Sequence, residues 1–305
     1  MHRRDLPPDL PEAFTPATAR AFGVTRSRLR ASDLERPFRG VSSVRAADDD
    51  VPPAVERLVA QFATIMAGHE YFSHQTAAAL WGLPLPRWAA SSTRLHVSVP
   101  RPARAPRARG VLGHQADPRL VSVVRHPSGV RVTSPASTWA QLATVLTETE
   151  LVAVGDALVR EPRRPGDRPA LATIAELGAM MIAGRRPGIR LLRQAHPRIR
   201  LRVDSPRESA LRVLLVDAGL PEPEPGFAVI VGGRTIAHVD LAYPRSRVAL
   251  EYEGEHHRVD PDQWAYDIRR YDALTDAGWR VIRVTKTDLS ARHAHLIRRV
   301  RAALG

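Results

Sequence analysis

The 305-residue chain has no cysteine, a single lysine at position 286 and an aromatic content of only 5%. Without cysteine there are no disulfides, no thiolate-bound zinc and no thiol nucleophile. Any metal must then be held by Asp, Glu, His or carbonyl oxygens, which favours hard cations. No stretch approaches the roughly 18 apolar residues that a membrane-spanning helix needs. The amino-terminal segment MHRRDLPPDLPE lacks the apolar core of a secretory signal, so a cytoplasmic protein is predicted.

What is present in excess is arginine. Lysine and arginine together number 45 against 32 acidic residues, a formal net charge of +13. An Ala-, Arg- and Pro-rich composition reflects a GC-rich coding sequence and accounts for Arg in place of Lys. It does not account for the net charge, which points to an anionic partner, DNA first and RNA equally permitted. Hydrophobic residues at 44% and charged residues at 25% are ordinary for soluble globular chains. At about 150 residues per domain the length predicts two or more domains.

Residues 13–45 read as a short helix, a turn at Gly23, a second helix from Thr25 and a strand through Pro37 to Val44. This is a winged helix-turn-helix pattern over residues 1–48. Seven arginines against Asp33 and Glu35 give a local excess of +5, and Arg26, Arg28 and Arg30 fall on the expected recognition helix, a DNA-contacting position. A solvated basic hairpin is the alternative reading.

After the acidic stretch Asp48 to Pro53, residues 54–160 alternate amphipathic helices with short strands (LHVSV, GVLGH, GVRVT), a small α+β domain. Ser73 is a candidate cap for a helix Gln75 to Trp81, and Ser134 with Pro135 starts another. His74, His96 and His114 show no metal-ligand spacing and read as structural histidines; Trp81 and Trp139 read as core anchors. Residues 161–200 read as a basic linker and helical region, with seven arginines and no acid between Arg185 and Arg202.

The last hundred residues, 201–305, carry the chemistry. Ser205-Pro206-Arg207-Glu208 opens a helix that Gly219 ends. Two strands then flank Gly232-Gly233, a hairpin signal, and VALEYEG follows the turn Pro244 to Arg247. If that turn is symmetric, Asp240 pairs with Glu251 and His238 with Glu253 on one sheet face. Opposed carboxylates repel, so a compensating cation is the simplest reason for them. Oxygen ligands suit Mg²⁺ or Mn²⁺, and the chemistry they serve is metal-assisted phosphodiester hydrolysis. An exposed acidic hairpin is the alternative. Glu208 is both the N3 position of a capping box and an acid on the inward stripe of its helix. His256 and His257 are candidate proton donors or outer ligands, or an exposed pair. Asp267 and Arg270 stand one turn apart on a helix with a buried stripe of Trp264, Ile268, Tyr271 and Leu274.

This ordered set, Glu208, Asp240, Glu251-Tyr252-Glu253-Gly254, His257, Asp267, Arg270 and GWRVIRVT, resembles the PD-(D/E)XK nuclease superfamily, in particular its very-short-patch-repair-like endonuclease branch. The resemblance implies Asp240 and Glu251 as metal-binding acids, Glu208 as an acid near the metal, and Glu253 in the acid-or-lysine position. It implies His257 as a catalytic histidine, and Arg270 as a group for the scissile phosphate or for orienting a carboxylate. The superfamily's motif lysine is replaced by Glu253; Lys286 is a candidate substitute. The stretches at 13–45, SHQTAAALWGLPLP and VTSPASTWAQLATVL are similar to AbiEi-type antitoxins, which implies operator DNA and a toxin–antitoxin operon as partners. The expectation is an α+β multidomain protein: a winged helix, a middle α+β domain and a restriction-endonuclease-like domain with a central mixed sheet. Its expected activity is Mg²⁺-dependent DNA cleavage, with an AbiEi-like regulator carrying a degenerate nuclease domain as the alternative.

Overall fold

A computed structural model describes residues 5–45, 54–163, 166–253 and 261–305, excepting the side chains of 261–267. The described residues form a mixed α+β structure with three sheets. Among the described residues no helix is long and apolar enough to cross a membrane. Two compact units emerge, one of Met1–Val145 with Ala179–Ile189 and one of Leu146–Gly178 with Arg190–Gly305.

The first unit begins with β1 (Ala13–Phe14) and α1 (Pro16–Ala21), which Thr15 caps by accepting from the Thr18 N–H. The expected second helix is only a 3-10 turn, Arg28–Arg30, because Ala31 turns to extended backbone. That turn lets Arg28 close on Asp33 through two hydrogen bonds of 2.9 and 2.7 Å. The expected strand from Pro37 is likewise two short pieces, β2 (Leu34–Glu35) and β3 (Ser42–Val44), in a sheet ordered β1-β3-β2. This segment is not a separate module. Phe38 and Val41 share one core with Phe62 of α2 (Val55–Ala63) and with Phe72 and Val97. Glu35 accepts from Arg57 and Gln61 of α2. A three-stranded ribbon this small buries too little apolar surface to stand alone.

A five-stranded sheet follows, ordered β6-β5-β4-β8-β7. Its strands are β4 (Tyr71–Phe72), β5 (Leu95–Pro100), β6 (Val111–Ala116), β7 (Val123–Arg125) and β8 (Arg131–Thr133). Between β4 and β5 lie α3 (His74–Leu80) and the short α4 (Arg87–Ala90); α5 (Pro135–Leu142) follows β8, capped as expected by Ser134. Trp139 is fully buried, and Trp81 donates its indole N–H to the Thr133 carbonyl.

The second unit opens with α6 (Glu148–Val159), held by a complete Thr147–Glu150 capping box. This helix belongs with the C-terminal elements rather than with residues 54–145. Asp156 on it is ion-paired to Arg212 of α9 (Pro206–Asp217). The expected linker is also structured, as α7 (Ile174–Ile182) and α8 (Ile189–Ala195), with Leu177, Leu192 and Ala195 buried. Three of the seven arginines in the acid-free run pair with acids from distant sequence. Arg198 reaches Glu148 and Asp217, Arg200 reaches Glu222, and Arg202 lies 3.5 Å from Glu161.

A four-stranded sheet, ordered β12-β11-β10-β9, forms the centre. β9 (Glu224–Val231) and β10 (Arg234–Tyr243) join through Gly232-Gly233, whose φ angles of 56° and 78° are those of a type I′ hairpin turn. β11 (Val248–Tyr252) runs antiparallel to β10, and α10 (Pro261–Asp276) returns the chain so that β12 (Arg280–Val284) lies parallel to β11. The sheet is therefore mixed. The short α11 (Lys286–Leu289) and α12 (His293–Leu304) complete the unit. Leu211 and Leu215 of α9 and Leu296 and Val300 of α12 pack on Leu241, Tyr243, Val248 and Leu250, while Leu274 of α10 packs with Ala242 and Ala249. Val239 joins the second cluster, and Ile268 on α10 is 40% exposed rather than buried.

Candidate functional site

The β10–β11 register is Leu241 with Leu250, Ala242 with Ala249 and Tyr243 with Val248, as a symmetric turn requires. One step further along the ladder, Asp240 falls opposite Glu251. Asp240 Oδ2 accepts from the Tyr252 N–H at 2.7 Å, which fixes that carboxylate at the end of the strand pair. By strand alternation the two acids share the side of Ala242 and Ala249, which α10 covers. Glu251 is only 5% exposed.

The third acid is Glu208, not Glu253. β11 ends at Tyr252, and Glu253 turns to the other neighbour: its N–H donates to the Val284 carbonyl and its carboxylate pairs with Arg283 at 2.8 Å. Glu208, at the start of α9, is buried. Burial first, then the charges of Asp240 and Glu251, push its carboxyl up to about 8 against the opposing pulls of Ser205 and Arg163. Its capping role is also present in altered form. The Ser205 hydroxyl accepts from the Glu208 N–H at 3.2 Å, but the Glu208 carboxylate accepts from the Asp204 N–H, one residue before the cap. That longer reach leaves the carboxyl beside the sheet acids.

Arg270 spans both oxygens of Glu251, at 3.0 Å each, and also donates to the His238 carbonyl. The guanidiniums of Arg270 and Arg283 both lie over the Tyr271 ring, 5.0 and 4.6 Å from its centre. Burial and the nearby Glu251 raise the Tyr271 hydroxyl above its usual range. The cation beside Glu251 is thus Arg270 of α10. Lys286 is exposed at the first position of α11. His256 and His257 lie outside the described residues, as does the Asp267 side chain.

In the first unit, Pro16, Arg26, Arg30, Arg36 and Gly40 line an open groove of about 490 Å³. Arg26 and Arg30 are exposed. Arg28 is turned away from this role by its pairing with Asp33, the two side chains being 10% and 17% exposed.

The same unit holds a cluster that the one-dimensional spacing did not reveal. His74 at the start of α3, His96 on β5 and His114 on β6 bring a ring nitrogen each to within 4.8 Å of the others, a group that can hold a metal ion. The parallel β5–β6 register sets Ser98 opposite His114, so His96 and His114 are diagonal neighbours on one face; their Nδ1 and Nε2 atoms are 3.0 Å apart. The His74 ring stacks on His114 with centroids 4.1 Å apart. Ser73 does not cap α3. Its hydroxyl lies 3.0 Å from His74 Nδ1 and accepts from Ser98 at 2.7 Å. His74 has a left-handed backbone, φ 50°, anchored by its N–H donating to Gln141. Burial, reinforced by the neighbouring rings, pushes His74 down to about 3 and His96 to about 4, and burial lowers His114. All three are therefore neutral near pH 7.

The chain is similar to the uncharacterized protein Rv2248 of Mycobacterium tuberculosis strain ATCC 25618 / H37Rv and to the uncharacterized protein MT2308 of strain CDC 1551 / Oshkosh. Each is 28% identical over 249 residues, covering 82% of this chain and 86% of the relative. No family model and no solved structure matches the chain.

Proposed function

We propose that the protein is a DNA-directed, endonuclease-like phosphodiesterase whose active centre is Glu208, Asp240 and Glu251. One observation carries this reading: α9, β10 and β11 bring Glu208, Asp240 and Glu251 within electrostatic reach of one another, and burial first, then the charges of the two sheet acids, pushes the Glu208 carboxyl up to about 8. The donor set fits a hard divalent cation such as Mg²⁺ or Mn²⁺, because it is all oxygen and its crowding is relieved by positive charge. When bound, such an ion lowers the pKa of a coordinated water and stabilises charge on a phosphoryl oxygen.

The chain's own groups have distinct roles in this reading. Asp240 is positioned by the Tyr252 N–H and Glu208 by the Asp204 N–H. Arg270 orients Glu251 and stands ready to exchange it for a scissile phosphate, since a guanidinium fork matches either anion. The groove with Arg26, Arg30 and Arg36 supplies contacts to the backbone of the polynucleotide. Glu253, held by Arg283, is left without a catalytic part, and His257 remains a proposed proton donor. A second reading, a DNA-binding regulator of the AbiEi type with a degenerate nuclease unit, is favoured by that same Arg270 fork, which occupies both oxygens of Glu251.

The test is cleavage of plasmid and single-stranded DNA in Mg²⁺ or Mn²⁺ by the full chain. Asp240→Asn and Glu251→Gln are expected to abolish cleavage with cooperative melting retained. DNA binding by the wild type without cleavage, with Arg270→Met also inactive, would replace the hydrolase by the regulator.

A further inference from the structure

The histidine cluster of the first unit lies outside the carboxylate site and has no part in the proposed cleavage. Its composition is what sets it apart. Three neutral imidazoles with no carboxylate among them are poor ligands for Mg²⁺ but suit borderline first-row ions. Their placement comes from three separate elements, the start of α3 and the two parallel strands β5 and β6.

We propose that His74, His96 and His114 form a three-histidine Zn²⁺ site whose fourth position is left to water or a small anion. Five observations converge on it. The three ligand nitrogens lie within 4.8 Å of one another. On a tetrahedral ion with Zn–N bonds of about 2.0–2.1 Å, two nitrogens stand about 3.3 Å apart. The 3.0 Å separation of His96 Nδ1 from His114 Nε2 needs only a few tenths of an ångström to reach that value.

Outer contacts of the kind that orient metal-bound histidines are in place. Ser98 donates to Ser73, and the Ser73 hydroxyl meets His74 Nδ1. The His74 backbone is held in the left-handed region by Gln141, and strained non-glycine residues of this kind concentrate at functional sites. Finally, His96 is buried while His74 and His114 are half-buried, so part of the cluster is open to solvent.

The experiment uses the full chain, stripped with chelator and dialysed, and titrated with Co²⁺ and then Zn²⁺. Expected, in excess Mg²⁺ that competes for the carboxylate centre, are one tightly held ion per chain, visible Co²⁺ bands of four-coordinate intensity that Zn²⁺ bleaches, and a higher melting temperature with Zn²⁺. His74→Asn retains a residue that tolerates positive φ and is expected to weaken Zn²⁺ binding by at least roughly a hundredfold, beyond the 10–100-fold of an outer-shell change. His114→Gln is the second variant, expected to weaken Zn²⁺ binding likewise. Equal Zn²⁺ uptake by wild type and by both His74→Asn and His114→Gln, or no Co²⁺ spectrum in the wild type, would overturn the site.

Discussion

Asp156 on α6 and Arg212 on α9 are ion-paired at 2.8 Å with both side chains only 1% exposed. Asp156 is saturated: one oxygen accepts from the Arg200 N–H at 2.7 Å and the other from Ser209 as well as Arg212. Burial pushes its carboxyl up, while Arg212, Ser209 and the Arg200 N–H pull it down. Arg212 continues to Glu222 at 2.9 Å. The network joins α6, the chain before α9 and the chain after it, and it makes residues 148–159 part of the second unit.

Such a pair is costly to break and inexpensive to replace as a whole. Arg212→Met, which leaves a buried carboxylate uncompensated, is expected to lose about 3–5 kcal/mol of stability. Asp156→Ala/Arg212→Met is expected to lose less than the sum of the two single changes, by about 0.5–3 kcal/mol. Chemical denaturation of the four proteins measures this, and strict additivity would show that the two residues do not act as a pair.

Glu208 predicts a pH dependence. Its folded value of about 8 lies above the ordinary 4.5, so between those values the folded chain keeps a proton that the unfolded chain has lost. Its contribution to stability is complete below about pH 4.5 and is lost as pH rises through about 8, with a slope of up to about 1.4 kcal/mol per pH unit. Glu208→Gln, neutral throughout, is expected to flatten that decline and to exceed wild type in melting temperature above pH 8 in chelator. Parallel curves for the two proteins across pH 5–9 would show that burial and the neighbouring acids do not raise the Glu208 carboxyl, and would remove the observation on which the proposed centre stands.

The arginines of the amino-terminal region are expected to separate into two kinds. Replacing the exposed Arg26 and Arg30 should reduce the dependence of log DNA affinity on log salt by about one unit for each phosphate no longer neutralised. Arg28→Ala should leave that slope unchanged and instead cost about 1–3 kcal/mol of stability, because Asp33 is deprived of two charge-assisted hydrogen bonds. Binding isotherms at four salt concentrations, beside a melt of each variant, distinguish them. A slope that falls for Arg28→Ala alone would reverse the assignment.

What the sequence by itself determined is local, because the forces that set it act over a few residues. Gly232-Gly233 permits a hairpin whose two central residues both need positive φ. The symmetric turn after Tyr243 set the β10–β11 register, and with it the pairing of Asp240 with Glu251. Ser134, Ser205 and Gly219 marked helix ends through hydrogen bonds and left-handed backbone that only certain residues supply. Tertiary structure decided which side chains from distant segments share a volume. Glu208 takes the third acidic position because α9 packs its leucines on β10 and β11, whereas Glu253 lies beyond the end of β11 and falls to Arg283. Arg270 meets Glu251 only once α10 crosses back over the sheet. His74, His96 and His114 are separated by 22 and 18 positions, so no helical or strand period links them. The parallel pairing of β5 with β6 is what turns three isolated histidines into one cluster. The acid-free arginine run similarly looked like a bare cationic surface, and only the folded chain sets Glu148, Asp217, Glu222 and Glu161 against it, since ion pairing depends on distance in space and not along the chain.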